Sequence, residues 1–155
     1  MRIEPLSQRE LRSLEGELKR CYGIESLPKD LVFLAAGERK LKVSRVEVLE
    51  FSRTIRGVVN VGLYVVKMTR DGSSLSLEGS QLFGESIKKN LIELSESEVS
   101  AWMTGGPIIR TDLGDVTYVI AKFKNLYLGS GRVGRDGRVY PQIPKWRRVP
   151  ENELD

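Results

Sequence analysis

The amino-terminal residues have the spacing of an amphipathic helix. Three leucines lie three and four residues apart, on one face of such a helix: Leu11, Leu14 and Leu18. Ser7 and Glu10 have the spacing of a capping box, in which each side chain accepts a hydrogen bond from the other residue's backbone N–H. Gly23 can take the left-handed conformation that ends a helix. The pattern predicts a helix from Ser7 to Tyr22.

Strand-like runs dominate the next part of the chain. The apolar stretch Leu31–Ala36 and the alternating stretch Lys40–Val43 predict two strands joined through Gly37 as a hairpin. The β-branched and aromatic run Val58–Met68 predicts a third strand, and the turn Asp71-Gly72 follows it.

Two helices are predicted on either side of this third strand. Ser44 is a candidate cap for a short helix carrying three apolar residues: Val46, Leu49 and Phe51. The stretch Glu78–Lys89 predicts a longer helix with three apolar residues on one face: Leu82, Phe83 and Ile87. Lys88 and Lys89 would close that helix, where cations complement the helix dipole.

The carboxyl-terminal part begins with a second capping box. Leu91–Leu94 predicts a short strand, and Ser95 with Glu98 has the capping-box spacing. The helix that starts there would bury three residues at helical spacing: Val99, Trp102 and Met103. The sequence Gly105-Gly106-Pro107 predicts a sharp stop, because glycine and proline cannot extend the helix without cost.

Three further strands are predicted after this stop: Pro107–Thr111, Val116–Phe123 and Leu126–Val133. Val116–Phe123 is largely apolar at both odd and even positions, which predicts a central strand covered on both faces. A turn at Gly134–Gly137 leads to a last strand at Arg138–Ile143. Pro141 and Pro144 predict that this strand is an edge or leaves the sheet, because proline donates no ladder hydrogen bond.

These elements predict an α+β protein with two domains. Residues 1–88 would form a mixed α/β domain that packs on a small closed or nearly closed barrel of residues 89–150. Residues 151–155 would form an acidic tail.

Composition predicts an ordinary globular protein without a secretory signal. Of its 155 residues, 40% are hydrophobic and 30% charged, and no apolar run approaches the roughly 20 residues that span a bilayer. The amino terminus has no apolar signal region. A single cysteine, Cys21, fits a reducing compartment, so we expect a cytoplasmic protein without membrane partners. Cys21 is expected to be a small buried apolar group.

The absence of histidine narrows the possible functions further. It excludes histidine acid–base catalysis, Ser-His-Asp triads and histidine-containing zinc sites. Together with the single cysteine and the lack of a cofactor fingerprint, it leads us to expect no catalytic residues, no metal site and no cofactor.

The positive charge of the chain is concentrated near its carboxyl end. Between Lys122 and Arg148 there are eight Lys or Arg residues and one acid, Asp136, whereas the whole chain carries +4. A focused patch of positive charge favours a nucleic-acid backbone as partner. The alternative interpretation is a solvated hairpin that happens to be basic.

Two glycine clusters have alternative interpretations. Gly129–Gly134 matches the spacing GxGxxG, but no helix can start after it, so close packing of backbones is favoured over a dinucleotide site. Gly105-Gly106 would let a sugar-phosphate backbone approach the main chain closely. Taken alone, the motif favours an ordinary helix end before proline.

From Gly62 to Arg148 the chain resembles the carboxyl-terminal region of Sun/Fmu-type RNA methyltransferases, which make 5-methylcytosine. It is also similar to stand-alone archaeal ribosome-biogenesis proteins made of this region alone, and more distantly to the eukaryotic Nip ribosome-assembly factor. The resemblance rests on short blocks in conserved order: Gly62-Leu63-Tyr64, Ser80, Leu94-Ser95-Glu96 with Trp102-Met103-Thr104-Gly105, Leu128-Gly129-Ser130-Gly131-Arg132, and Pro144-Lys145-Trp146-Arg147-Arg148. The family's region contains a PUA-type RNA-binding domain, which implies a PUA-like pseudo-barrel at 89–150 and a pre-PUA domain at 1–88.

The chain departs from this family at several positions. Ser130 stands where the family often has tryptophan, Gln81 where it has histidine, and Tyr140-Pro141 where it has a Lys-Asn pair. The methyltransferases' Pro-Cys nucleophile is missing, since Cys21 follows Arg20. The resemblance therefore implies the RNA-binding module without the enzyme.

The sequence thus predicts non-catalytic RNA binding, with ribosomal or transfer RNA as ligand and ribosome-assembly proteins as possible partners. Cations would hold phosphates, while backbone groups and an exposed aromatic ring would contact bases. The candidate RNA-binding residues are Lys88, Lys89, Gly105, Gly106, Arg132, Arg135, Arg138, Lys145, Trp146, Arg147 and Arg148. Trp146 could instead cover the barrel core. Alternative functions are a protein-interaction adaptor and an accessory subunit of an RNA-modifying enzyme.

Overall fold

The computed structural model of the protein describes residues 4–56 and 61–150. These residues form an α+β fold of four α-helices and two five-stranded sheets, one of them a curled half-barrel. The elements, in chain order, are β1 (Glu4–Pro5), α1 (Gln8–Tyr22), β2 (Leu31–Ala35), β3 (Lys40–Arg45), α2 (Val46–Arg53), β4 (Leu63–Thr69), β5 (Gly72–Leu75), α3 (Leu77–Phe83), β6 (Leu91–Glu93), α4 (Glu96–Met103), β7 (Ile108–Ile109), β8 (Tyr118–Phe123), β9 (Leu126–Val133) and β10 (Arg138–Pro141). Two short 3₁₀ helices lie at Gly84–Ser86 and Lys145–Arg147. The start of the predicted strand at 58–68 and the predicted acidic tail lie outside the described residues.

Helix α1 has the boundaries and caps that its sequence predicts. The Ser7 hydroxyl accepts a hydrogen bond from the Glu10 N–H at 3.2 Å, and the Glu10 carboxylate accepts one from the Ser7 N–H at 3.0 Å. Gly23 ends the helix in the left-handed conformation, with φ of 67°. The buried face consists of Leu14, Leu18 and Tyr22.

The first sheet is antiparallel throughout, with strand order β1-β2-β3-β4-β5. The predicted hairpin of β2 and β3 is confirmed. The predicted helix cap at Ser44 is wrong, because Ser44 stays in β3 opposite Val32 and its hydroxyl donates to the Arg45 carbonyl. Helix α2 therefore begins after Arg45 without a side-chain cap, and it buries only Leu49. Phe51, predicted as one of the apolar residues of this helix, is 66% exposed.

The predicted helix from Glu78 to Lys89 is too long. Helix α3 ends at Phe83, because Gly84 adopts φ of 44° and ψ of −120°, and a 3₁₀ turn follows. Leu82, predicted on the buried face, is exposed. Lys88 and Lys89 consequently do not end this helix. Their backbone N–H groups instead donate to the Tyr22 carbonyl, at the carboxyl end of α1.

The second sheet has the order β6-β8-β9-β10-β7, with β6 parallel to β8 and the other pairs antiparallel. Strand β8 lies between two partners and is buried over most of its length, which confirms the predicted central strand. Strand β7 is only two residues long, shorter than predicted. Of the two alternatives predicted for the last strand, the edge position is wrong, because β10 pairs with β9 and, through Arg138 and Val139, with β7. The strand does end at Pro141, earlier than the predicted Ile143. Pro141 lies beyond the β7 pairing, where no second strand requires the backbone N–H that proline lacks.

Two main cores hold the fold together. The core under α4 is centred on Trp102, which is fully buried and donates its indole N–H to the Leu128 carbonyl at 3.0 Å. The other core collects α1, the first sheet and α3, and it also includes Ile120 and Tyr127 from the second sheet. The two sheets therefore share buried surface. The domain boundary near Lys89 stays a prediction.

Candidate nucleic-acid interface

The register of β8, β9 and β10 places one arginine of the basic stretch between two tyrosines. Arg132 pairs with Tyr118 on one side and with Tyr140 on the other. Directly paired residues project from the same face of a sheet. Val139 is fully buried, so its neighbours Arg138 and Tyr140 project to the opposite, outer face. Arg132, Arg138 and Tyr140 therefore share the outer face of the half-barrel.

The guanidinium of Arg132 is only loosely held. It donates to the Tyr118 hydroxyl at 3.3 Å and lies 5.8 Å from the centre of that ring. Its ion pair with Asp71 is 3.9 Å long, and both side chains are more than half exposed. A pair of this kind is worth about 0–1 kcal/mol, so Arg132 can exchange it for a phosphate at small cost.

The one acidic residue of the basic stretch forms its hydrogen bonds within the turn that contains it. Asp136 accepts hydrogen bonds from the Arg138 N–H at 3.2 Å and from the Tyr140 hydroxyl. The Tyr140 hydrogen bond is the main cause that lowers the pKa of Asp136 below its usual value. Arg135 stays exposed at the tip of this turn. The turn thus fixes its carboxylate internally and presents cations outward.

The segment after β10 presents an exposed tryptophan. Trp146 is 81% exposed, so its predicted alternative as a lid on the barrel core is not observed. The Arg147 guanidinium lies 5.4 Å from the centre of the Trp146 ring and forms an ion pair with Glu78 on α3. This pair joins the segment to α3 and holds a cation beside the ring. Lys145, next to it, is exposed.

An apolar groove lies beside this ring. It has a volume of about 160 Å³ and is hereafter called the tryptophan groove. Its walls come from β4, α3, β9 and the 142–147 segment: Leu63, Tyr64, Ser76, Leu77, Glu78, Leu128, Gly129, Gln142, Ile143, Pro144, Trp146 and Arg147. The exposed ring therefore borders a concave apolar surface, which suits a planar base.

The glycine pair after α4 is engaged within the fold. The N–H of Gly105 donates to the Trp102 carbonyl at 3.0 Å, and that of Gly106 donates to the Ala101 carbonyl at 2.7 Å. The Arg148 side chain lies against Gly105, and its Nε donates to the Ile143 carbonyl at 3.1 Å. Both glycine N–H groups thus cap the helix, and Arg148 connects the carboxyl segment to it.

Lys88 and Lys89 lie at the end of α1, and their side chains are exposed. Lys89 lines a pocket of about 390 Å³ that also contains Asp71 and Tyr118, the two residues that contact Arg132. That pocket is mixed in charge, since Arg20 and Lys89 face Asp71 and Asp115. It offers less attraction to a phosphate than the outer face of the half-barrel does.

The GxGxxG run lies mostly within strand β9, ends at Gly134, and no helix begins there. Gly131 passes directly under the Trp102 ring and Val139, and a Cβ on it would collide with both. Gly129 has φ of 81° and packs on the backbone of Leu77. The predicted close approach of another backbone is confirmed at Gly129, whereas Gly131 makes room for two side chains.

Two serines in the resembling blocks are buried structural links. The Ser130 hydroxyl accepts from the Leu75 N–H at 2.7 Å, and the Ser80 hydroxyl accepts from the Gly129 N–H at 2.9 Å. Both serines are almost completely buried. Ser130 thus joins the two sheets from a buried position.

One basic cluster of the structure was not predicted from the sequence. It lies on β3, β4 and the β2–β3 turn, where a pocket of about 920 Å³ is lined by Ala36, Gly37, Glu38, Arg39, Lys40, Lys42, Tyr64 and Lys67. The alternation of Lys40 and Lys42 was the available signal, because it places both on one face of a strand. Lys67 could not be added, since its pairing with Lys40 depends on how β3 and β4 align.

Within residues 4–56 and 61–150, no group of three or more cysteine, aspartate or glutamate residues is arranged to hold a metal ion. None of the helices described is long and apolar enough to cross a membrane. No protein-family model matches the chain, and no curated protein matches it.

Proposed function

We propose that this protein binds RNA without catalysing a reaction, through the outer face of its second sheet and the segment that follows. The observation that carries the proposal is an 81% exposed tryptophan within a stretch of eight cations and one acid. Cations that track a backbone, combined with an aromatic ring that stacks a base, are typical of proteins that bind single-stranded nucleic acid.

In this proposal seven of the candidate residues divide into three roles. Arg132, Arg135, Arg138 and Lys145 are exposed and contact phosphates, which position the RNA. Trp146 stacks on a base. Arg147 and Arg148 are half-buried and hold the carboxyl segment in place: Arg147 pairs with Glu78, and Arg148 contacts Gly105.

We propose further that residues 89–150 form a PUA-like pseudo-barrel on a pre-PUA domain of residues 1–88. Support comes from the curled sheet, the buried Trp102 of the resembling block, and the Ser95–Glu98 capping box at the start of α4. By this resemblance the ligand is ribosomal RNA, bound in the cytoplasm during ribosome assembly.

The proposal is tested by measuring RNA affinity as a function of salt. Each neutralised phosphate of a single strand contributes about −0.7 to the slope of log K against log salt. Four to six contacts, an estimate from the exposed cations, predict a slope of roughly −3 to −4. Tight binding with a slope near zero would show that contacts between cations and phosphates do not provide the affinity.

A protein-adaptor function has one observation in its favour. Helix α2 and the turn after it expose four apolar side chains: Val46 (44%), Val48 (51%), Phe51 (66%) and Ile55 (45%). Adjacent exposed apolar side chains can mark a protein-interaction surface. Under this alternative, binding of the partner would depend on Phe51 and would be little affected by salt.

A further inference from the structure

The basic cluster on the first sheet forms a cleft, hereafter the hairpin cleft, lined by Arg39, Lys40, Lys42 and Lys67 with Glu38 as its one carboxylate. Its volume of about 920 Å³ is large enough for a group of nucleotide size. It lies on β3 and β4, apart from the second sheet. A concave surface with this excess of one charge raises the local concentration of the opposite charge, here anions.

Strand pairing places two like charges side by side in the hairpin cleft. Lys40 lies directly opposite Lys67 on the neighbouring strand. Like charges directly opposite each other destabilise a sheet. Neither lysine forms an ion pair with any residue in the described part of the chain; the Lys40 ammonium lies 5.5 Å from the centre of the Tyr64 ring. An anion between the two lysines would relieve their repulsion.

A strained arginine adds to this arrangement. Arg39 has φ of 60°, the left-handed region that glycine occupies at little cost and other residues rarely adopt. Its carbonyl accepts a hydrogen bond from the Met68 N–H at 2.7 Å, which ties the turn to β4. Glycine would suit this backbone better. The arginine instead brings a guanidinium to the cleft, and such strain is commonly found at functional sites.

Tyr64 connects the hairpin cleft with the tryptophan groove. The residue lines both, and its ring lies 5.5 Å from the Lys40 ammonium of the cleft. Next to it, Leu63 is 52% exposed, and Trp146 follows across the groove. Tyr64 therefore lies where the cleft with its four cations adjoins the groove that the exposed Trp146 ring borders. Duplex RNA keeps its bases stacked inside and would leave both rings unused, whereas a single strand offers its bases to them.

We propose that the hairpin cleft binds the phosphates of single-stranded RNA, whose bases extend over Tyr64 to Trp146. The inference rests on the proposed function in that RNA is the ligand. It adds a second binding surface, on the first sheet, and it restricts the ligand to unpaired RNA. An acidic protein would be attracted by the same cations but gains nothing from the two rings in line with them.

The test uses fluorescence anisotropy with a labelled oligouridylate of about 12 nucleotides, a length within the range bound by single-strand modules. The full-length variant Lys40→Gln with Lys67→Gln should bind about 30-fold more weakly. Its salt slope should become less steep by about 1.4, the value of two phosphate contacts. Arg9→Gln with Lys29→Gln removes the same charge from exposed positions elsewhere and should cost less than about threefold. The melting temperature of the cleft variant should equal or exceed that of the wild type, because the variant relieves the lysine repulsion.

The possible results separate the inference from the proposed function. If Arg132→Ala with Lys145→Ala weakens binding and the cleft variant does not, the function stands and the inference is overturned. Equal losses in the cleft variant and the charge-matched control would also overturn it, as would a duplex that binds as tightly as the single strand. Competition by poly-glutamate as strong as that by unlabelled RNA would indicate an acidic protein instead. A wild type that binds no RNA would refute both proposals.

Discussion

A pair of double variants separates the outer face of the half-barrel from the end of α1. The first variant carries Arg132→Ala and Lys145→Ala, and the second carries Lys88→Ala and Lys89→Ala. Each removes two exposed cations, so the change in net charge is the same. If the outer face binds the RNA backbone, the first variant should lose much more affinity than the second.

The expected loss follows from the contacts of Arg132. Its pair with Asp71 is long and more than half exposed, so breaking it to bind a phosphate costs less than about 1 kcal/mol. A hydrogen bond to a charged group contributes on the order of 1 kcal/mol or more. Two such contacts predict a loss of roughly 2 kcal/mol or more, which is about a 30-fold increase in Kd.

The Lys88 and Lys89 variant should lose clearly less. These lysines lie where their backbone N–H groups satisfy the Tyr22 carbonyl, so their charges complement the dipole of α1. That effect is worth about 0.3–1 kcal/mol to stability and requires no RNA. The pocket beside Lys89 also contains Asp71 and Asp115, which repel phosphate.

Both variants are measured by anisotropy against the same single-stranded RNA, after thermal melts have shown that each is folded. A larger loss in the Lys88 and Lys89 variant would refute the reasoning. It would place the binding face at the end of α1, near Tyr118, and leave the basic stretch as scaffold.

Two predictions concern the stability of the second sheet and α4. Ser95→Ala should lower the free energy of unfolding, measured in denaturant melts, by on the order of 1 kcal/mol, because the hydroxyl accepts a hydrogen bond from the Glu98 N–H at 3.2 Å. The RNA affinity of the folded protein should stay unchanged. A loss of affinity without a loss of stability would show that the hydroxyl contacts the ligand. Hydrogen bonds from Arg110 lower the pKa of Glu98 to about 2 from an ordinary 4.5, so the stability that this pair provides is complete above about pH 4.5 and is lost as pH falls through 2. Glu98→Gln should flatten that acid-induced fall in unfolding free energy by about 1–2 kcal/mol, whereas Glu96→Gln, in the same helical turn, should not.

The features predicted correctly from the sequence are those set by residues close together in the chain. Both capping boxes are local, since Ser7 with Glu10 and Ser95 with Glu98 satisfy each other within one turn. The β8 strand was predicted as central because its apolar residues lie at both parities. These signals need no knowledge of the rest of the fold.

The errors arise where distant contacts decide the outcome. Ser44 has a good capping residue type, but pairing with β2 keeps it in a strand. The residues up to Lys89 have helical periodicity, yet the conformation of Gly84 ends α3, and the Tyr22 carbonyl binds the following backbone. Local propensity competes with these tertiary hydrogen bonds and loses.

The two tryptophans show how much of the site the sequence leaves open. Both follow a basic or acidic stretch, and tryptophan's large area favours burial in either case. Trp102 lies on the inner face of α4 and is fully buried, whereas Trp146 follows two prolines and is 81% exposed. The hairpin cleft could not be predicted from the sequence either, because Lys40 and Lys67 are brought together only by the register of β3 and β4.

The two proposed RNA-binding surfaces belong to different sheets, so their joint effect depends on how firmly the sheets are held together. One buried hydrogen bond joins the sheets directly, from the Leu75 N–H to Ser130, and another joins β9 to helix α3, from the Gly129 N–H to Ser80. An amide N–H that is buried without a partner costs about 1–3 kcal/mol, so these links resist separation of the sheets. An RNA strand bound at the hairpin cleft would then reach the outer face of the half-barrel at a fixed distance, and its binding to that face would be an intramolecular step. Two modest surfaces coupled in this way bind far more tightly than either alone, which allows specific RNA binding by a chain whose net charge is only +4.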